Sequence, residues 1–311
     1  MSDNLAANPA SVVELEKEHL FQTYGRQPVV LVRGEGCEVF DAEGKAYLDF
    51  VSGIGVNALG HGHPRILRAI RDQVGKLVHC SNLYYHPYQA PLAVRLTKLS
   101  GLDRAYFCNS GAEAVETALK VVKGHGRAQS PAKHEIVALN GSFAGRTLGA
   151  ISVTGQPNYR QPFEPLIPGV KFIDPNDGKA LEEAVSERTA GIIMEPILGE
   201  GGIEEIDRDF AAKAVSLARQ HNALVVFDEI QSGLGRTGEY FAFQHWNESG
   251  AAEAIRPDLV LIAKPLGAGL PIGCVLATDS AAAVLGRGMH GSTFGGNALA
   301  CRLALDRKSV V

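Results

Sequence analysis

The chain has 311 residues, enough for one large or two ordinary domains and for a sizeable buried core. Its 30 Lys+Arg against 34 Asp+Glu give a formal net charge of −4, and 45% hydrophobic with 21% charged residues is a globular balance. These values argue against a nucleic-acid-binding surface, a disordered chain and a peptide scaffold.

Between Met1 and Leu20 the acids Asp3, Glu14, Glu16 and Glu18 interrupt any apolar run, so no secretory leader is expected. Apolar runs such as Leu224–Phe227 and Leu259–Ala263 fall far short of the ~20 residues that cross a bilayer, so no membrane span is expected. Five cysteines (Cys37, Cys80, Cys108, Cys274, Cys301) without a C-x-x-C pair fit neither a disulfide framework nor a zinc cage, and suggest a reducing cytoplasm.

In chain order, Gly36–Gly44 and Tyr47–Phe50 read as two short strands around an Ala-Glu-Gly turn. Pro64 opens a helical pattern with Ile66, Leu67, Ile70, Val74, Leu77 and Val78 on one face; Pro87 opens a second with Tyr88, Leu92, Leu96 and Leu99. Both are expected on one side of the molecule. From Arg104 onward, short apolar runs alternate with helical stretches such as Phe210–His221. The runs are Ala105–Cys108, Ile136–Leu139, Gly191–Met194, Leu224–Phe227, Leu259–Ala263 and Gly273–Ala277. This alternation predicts an α/β fold with a mostly parallel, doubly wound sheet, whose ligands sit beyond the carboxyl ends of the strands.

Three of those ends carry candidate chemistry. Ser110 and Glu113 form an S-x-x-E capping box, and Gly111 beside it leaves a helix N-terminus open to a phosphate. Leu224–Phe227 delivers Asp228 and Glu229, either able to pair with a cationic ring nitrogen. Leu259–Ala263 ends in Lys264, which burial would turn toward a nucleophilic amine. Each alone reads as ordinary structure: a capped helix, a solvated acid, a lysine reaching solvent. Together they are the parts that a protein supplies to pyridoxal 5′-phosphate, whose aldehyde a lysine holds as a Schiff base.

Gly233–Gly238 satisfies G-x-G-x-x-G, with Asp258 at the distance of a ribose-binding acid, which makes an NAD dehydrogenase the competing reading. The glycines nevertheless begin five residues after the strand rather than in its turn. His61-Gly-His63 lacks a third ligand at sensible spacing, so no metal is expected.

Over nearly its whole length the chain resembles the class III, ornithine-type aminotransferases of pyridoxal-phosphate fold type I. The resemblance rests on ordered landmarks: Gly34–Gly36, Tyr47–Phe50, Leu59–Pro64, Phe107–Ala114, Phe143–Thr147, Glu195–Gly202, Phe227–Gly233, Lys264–Gly273 and His290–Asn297. It implies that Gly111 and Ala112 bind the cofactor phosphate, Phe143 stacks on the ring, Asp228 meets its nitrogen and Gln231 lies near its phenolic oxygen. Lys264 would bond the aldehyde, and Thr293 would reach the phosphate held by a neighbouring subunit, implying a homodimer. Arg146, Ser292, Glu195 and Glu200 would face the substrate, Arg146 as partner of a carboxylate. The implied reaction moves the side-chain amino group of N2-acetylornithine to 2-oxoglutarate, with ornithine, succinylornithine or 4-aminobutyrate as alternative donors.

The resemblance also divides the chain. Residues 1–60 would be the N-terminal part of a small domain and 61–311 the large cofactor domain. The family's C-terminal small domain, with the arginine that clamps glutamate, is expected to be missing. Leu305–Val311 departs from the expected helix, so a truncated product and an inactive fragment are expectations as well. Ala144 stands where the family commonly has histidine.

Overall fold

The computed structural model describes residues 9–247 and 254–307. The first eight residues of the N-terminal stretch, and Lys308–Val311 of the departing tail, lie outside these.

The chain opens with helix α1 (Pro9–His19) and an antiparallel sheet of β1 (Leu31–Glu35), β2 (Glu38–Asp41) and β3 (Ala46–Leu48). Strands β2 and β3 are the expected hairpin; β1 adds a strand that the turn chemistry did not announce. Helices α2 (Pro64–Val74) and α3 (Gln89–Ser100) follow. Pro64 sits at the first turn of α2, where its missing N–H costs nothing.

The main sheet contains β4 (Arg104–Cys108), β5 (Glu135–Leu139), β6 (Val170–Ile173), β7 (Thr189–Met194), β8 (Leu224–Asp228), β9 (Leu259–Ile262) and β10 (Gly273–Ala277). Its order is β4-β10-β9-β8-β7-β5-β6, and every neighbouring pair is parallel except those made by β10, which runs against β9 and β4. Edge strand β6 has no fully apolar run and escaped the sequence reading.

Alternation along each strand divides the core. Val137, Leu139, Val225, Phe227, Val260 and Ile262 face one side, packing with Leu92 and Leu96 of α3 and with α5 (Arg208–Gln220). Ile136, Ala138, Leu224, Val226, Leu259 and Leu261 face α4 (Gly111–Gln129) on the other. Helices thus cover both faces, as buried parallel strands require. Helix α2 ends at Val74, short of the expected Leu77 and Val78, and Leu67 and Val74 of the expected face are exposed. Its Ile66 and Ala69 pack with Leu303 of α6 (Ala298–Arg307) in a separate cluster. Helix α6 itself runs on through Leu305–Arg307, the first part of the departing tail.

Candidate active site

Strands β4, β7, β8 and β9 end around one cavity of about 430 Å³, a volume typical of small-ligand sites. Its wall includes Gly111, Ala112, Phe143, Arg146, Glu195, Asp228, Gln231 and Lys264. Eight of the eleven residues expected at the site therefore share a single space.

At one end lies the start of α4. Ser110 Oγ accepts the Glu113 N–H at 3.2 Å, as a capping box requires. The reciprocal bond differs: Glu113 accepts the N–H of Asn109 (2.6 Å), one residue before the cap, because the strand turns into the helix there. The N–H groups of Gly111 and Ala112 have no acceptor within the helix and point positive potential outward. A Cβ on Gly111 would lie 2.9 Å from Ile230, so glycine permits that close approach. Gly145, at φ +134°, brings the Phe143–Arg146 loop against α4; its Cβ would stand 3.1 Å from that of Ala112.

The same cavity carries buried acids. Asp228 closes β8 and is buried, with one oxygen accepting the Ile230 N–H at 3.0 Å. Burial, reinforced by the Glu195 carboxylate, pushes the Asp228 carboxyl well above its ordinary range. Glu195, at the end of β7, is pushed up to about 7, chiefly by burial and against the pull of two backbone N–H donors and Lys264. Lys264 follows β9 and donates from Nζ to Gln231 Oε1. Burial pushes its ammonium below the ordinary lysine value, while Asp228, Glu200 and Glu195 pull the other way.

One cavity thus offers free N–H groups to an anion, a buried acid to a cation and a desolvated amine. A ligand carrying a phosphate and a protonatable ring nitrogen matches these groups, and the donor set fits pyridoxal 5′-phosphate.

Three expected residues lie apart. Ser292 and Thr293 line a neighbouring cavity of about 320 Å³ with Asn109 and Glu113, where Asn109 Nδ2 donates to Ser292 Oγ at 3.0 Å. Glu200 is exposed and does not line the cavity, although its charge acts on Lys264. Sequence reasoning missed Val56, which the N-terminal segment contributes to the cavity, and the use made of Glu229. Glu229 is fully buried and accepts from Ser232 Oγ (2.7 Å), Ala242 N (3.0 Å) and Phe243 N (2.9 Å), anchoring the turn that follows Asp228. Two successive acids after an apolar strand were the available signal; which faced the ligand was not.

The competing motifs are otherwise occupied. Gly233–Gly238 leads into a short 3-10 turn (Ala242–Asn247), not a long helix, and Asp258 accepts the Val225 N–H at 2.8 Å. His61 Nε2 pairs with Asp49 at 2.8 Å, and His63 caps α2 by accepting the Arg65 N–H. Among the described residues no three His, Cys, Asp or Glu side chains are grouped as metal ligands, and no helix is long and apolar enough to cross a membrane.

Residues 21–309 match the class-III aminotransferase family, and the chain belongs to it. It is a pyridoxal-phosphate-dependent aminotransferase of fold type I. The acetylornithine aminotransferases of Methanocaldococcus jannaschii and Aquifex aeolicus are each 46% identical to it, over 300 and 285 residues. Those alignments cover 96% and 91% of this chain and 74% of either relative. Among solved structures, the Toxoplasma gondii ornithine aminotransferase superposes with TM-score 0.90 at 34% identity, covering 97% of this chain and 71% of that one. The Elizabethkingia anophelis acetylornithine aminotransferase gives 0.81 at 32%, covering 98% and 73%.

Proposed function

We propose that this chain transfers the side-chain amino group of N2-acetylornithine to 2-oxoglutarate, yielding N-acetylglutamate 5-semialdehyde and glutamate. The observation that carries the reading is that Asp228, Lys264 and the open N-terminus of α4 line one cavity. The names of relatives 42–46% identical supply the substrate.

Pyridoxal 5′-phosphate, when bound, supplies an aldehyde that takes amines covalently and a ring that accepts the electron pair of a breaking C–H bond. The chain's residues do the rest. Gly111 and Ala112 would hold the phosphate through their backbone N–H groups, and Phe143 would face the ring. Asp228 would keep a proton on the ring nitrogen, and Gln231, which accepts from Lys264 Nζ, would orient that amine. Lys264 would hold the aldehyde and would serve as the base that takes the proton from the donor's amine-bearing carbon. Arg146 would pair with the donor's carboxylate beside Glu195, while Ser292 and Glu200, which do not line the cavity in this chain, would reach the substrate from outside it.

Thr293 belongs to a neighbouring subunit's phosphate site in this reading. A homodimer would also cover Phe50, Leu83 and Tyr85, which stand 93%, 82% and 104% exposed. The division into residues 1–60 and 61–311 is part of the same proposal. Initial rates of the purified protein with 2-oxoglutarate test it across acetylornithine, ornithine, succinylornithine and 4-aminobutyrate. Acetylornithine is expected to be fastest, and a higher rate with any other donor would overturn the substrate assignment.

A further inference from the structure

Beside the turn that follows Lys264 lies a further, separate pocket of about 140 Å³, lined among others by Leu234, Arg236, Pro265 and Arg307. Leu234 and Gly235 adopt φ of +62° and +90°, which turns the glycine-rich loop so that it faces the last turn of α6. The loop is the one whose dinucleotide motif the transaminase reading leaves unused.

Arg307 is 1% exposed. Its Nη2 donates to the Leu234 carbonyl at 2.6 Å, but its Nε and Nη1 are buried without any partner. Arg236 lines the same pocket, and among the described residues no carboxylate forms an ion pair with either guanidinium. Burial, then the charge of Arg236, push the Arg307 guanidinium down to about 10, with Tyr240 pulling the other way. At neutral pH the group therefore stays charged. A buried cation with idle donors beside a second cation is costly unless an anion joins it.

We propose that Arg307 and Arg236 form a binding site for a small oxyanion, which accepts from an idle Arg307 N–H and pairs with the exposed Arg236 guanidinium. Phosphate and carboxylate share the required chemistry, since both present oxygens to guanidinium donors. The pocket touches Pro265 and Gly233, next to Lys264 and two residues after Gln231, but shares no lining residue with the cofactor cavity.

The test uses the protein loaded with pyridoxal 5′-phosphate, so that the N-terminus of α4 is already filled. Calorimetric titration with inorganic phosphate, and in parallel with acetate, is run on the parent, R236Q and R307M. The parent is expected to bind a single anion, and whichever probe binds identifies its source. R236Q, altered only at an exposed side chain, should weaken binding about tenfold, the loss expected for one charged hydrogen bond. R307M should abolish binding and, in anion-free buffer, melt above the parent because the uncompensated charge is gone. Absence of binding by both probes to the parent, or equal affinity in the parent and R236Q, overturns the proposal.

Discussion

Glu195 Oε1 accepts the backbone N–H of Phe143 at 2.8 Å, and Oε2 accepts that of Gly199 at 3.3 Å. One buried carboxylate at the end of β7 therefore fixes both the loop bearing the aromatic ring and the loop leading to Glu200. It does so beside Asp228, so two acids share a space that holds one lysine.

That crowding sets a pH dependence in the cofactor-free protein. Glu195 is pushed up to about 7 from 4.5, and Asp228 is raised as well, so the folded chain keeps protons that the unfolded chain releases. Stability from Glu195 is present at low pH and is lost as pH rises through 4.5 to about 7, and Asp228 acts in the same direction. The slope reaches about 1.4 kcal/mol per pH unit for each extra proton held. Urea unfolding from pH 5 to 8 should show stability falling with pH, and Glu195→Gln should flatten the curve. An unchanged slope in the variant would remove Glu195 as the cause.

Lys264→Ala removes the only amine that the described residues place on the cavity wall. Turnover should fall by about 10²–10⁴, the usual contribution of a positioned proton-transfer group. Borohydride reduction of the parent followed by peptide mapping should place a pyridoxyl label on Lys264. A label on another lysine would refute the assignment.

Gly145→Ala tests the loop closure. At φ +134°, with Ala112 and Ala150 each about 3 Å from the new Cβ, the substitution strains the backbone and pushes Phe143–Arg146 from α4. A stability loss of about 1–3 kcal/mol is expected, together with weaker cofactor affinity by fluorescence titration. Full retention of both would mean that the loop relaxes freely.

Much of this was legible in the sequence because the sheet strands are buried on both faces and read as plain apolar runs. Phe227-Asp228 and Ala263-Lys264 mark strand ends by an abrupt change of polarity, and that change locates the cavity. What stayed hidden depends on long-range placement. Strand β6, with its VKFI sequence, is an edge whose Lys171 reaches Glu135, so it lacks the apolar signature. Asp228 and Glu229 are adjacent and chemically alike, and their strand position alone does not separate them; the resemblance assigns Asp228 to the ring, and the bonds from Ala242 and Phe243 show the use made of Glu229. The separation of Ser292 and Thr293 from the cofactor cavity, and the pocket joining Arg236 to Arg307, likewise bring together residues far apart in the chain.

Arg146 offers the sharpest test of donor choice. Its guanidinium lies 3.8 Å from the ring centroid of Tyr159 and 5.5 Å from that of Phe143, held at the cavity wall while remaining exposed. An aromatic bracket of this kind limits where the fork can point and leaves its edge free for a carboxylate. Arg146→Ala should raise KM for acetylornithine about 10–100-fold, the value of a lost charged hydrogen-bond pair, with a smaller change in kcat. Arg146→Lys should recover only part, since an ammonium cannot form two parallel bonds. N-acetylputrescine, which lacks the carboxylate, should react poorly with the parent and no worse with Arg146→Ala. If both donors lose equally in the variant, Arg146 supports the loop and does not read the substrate.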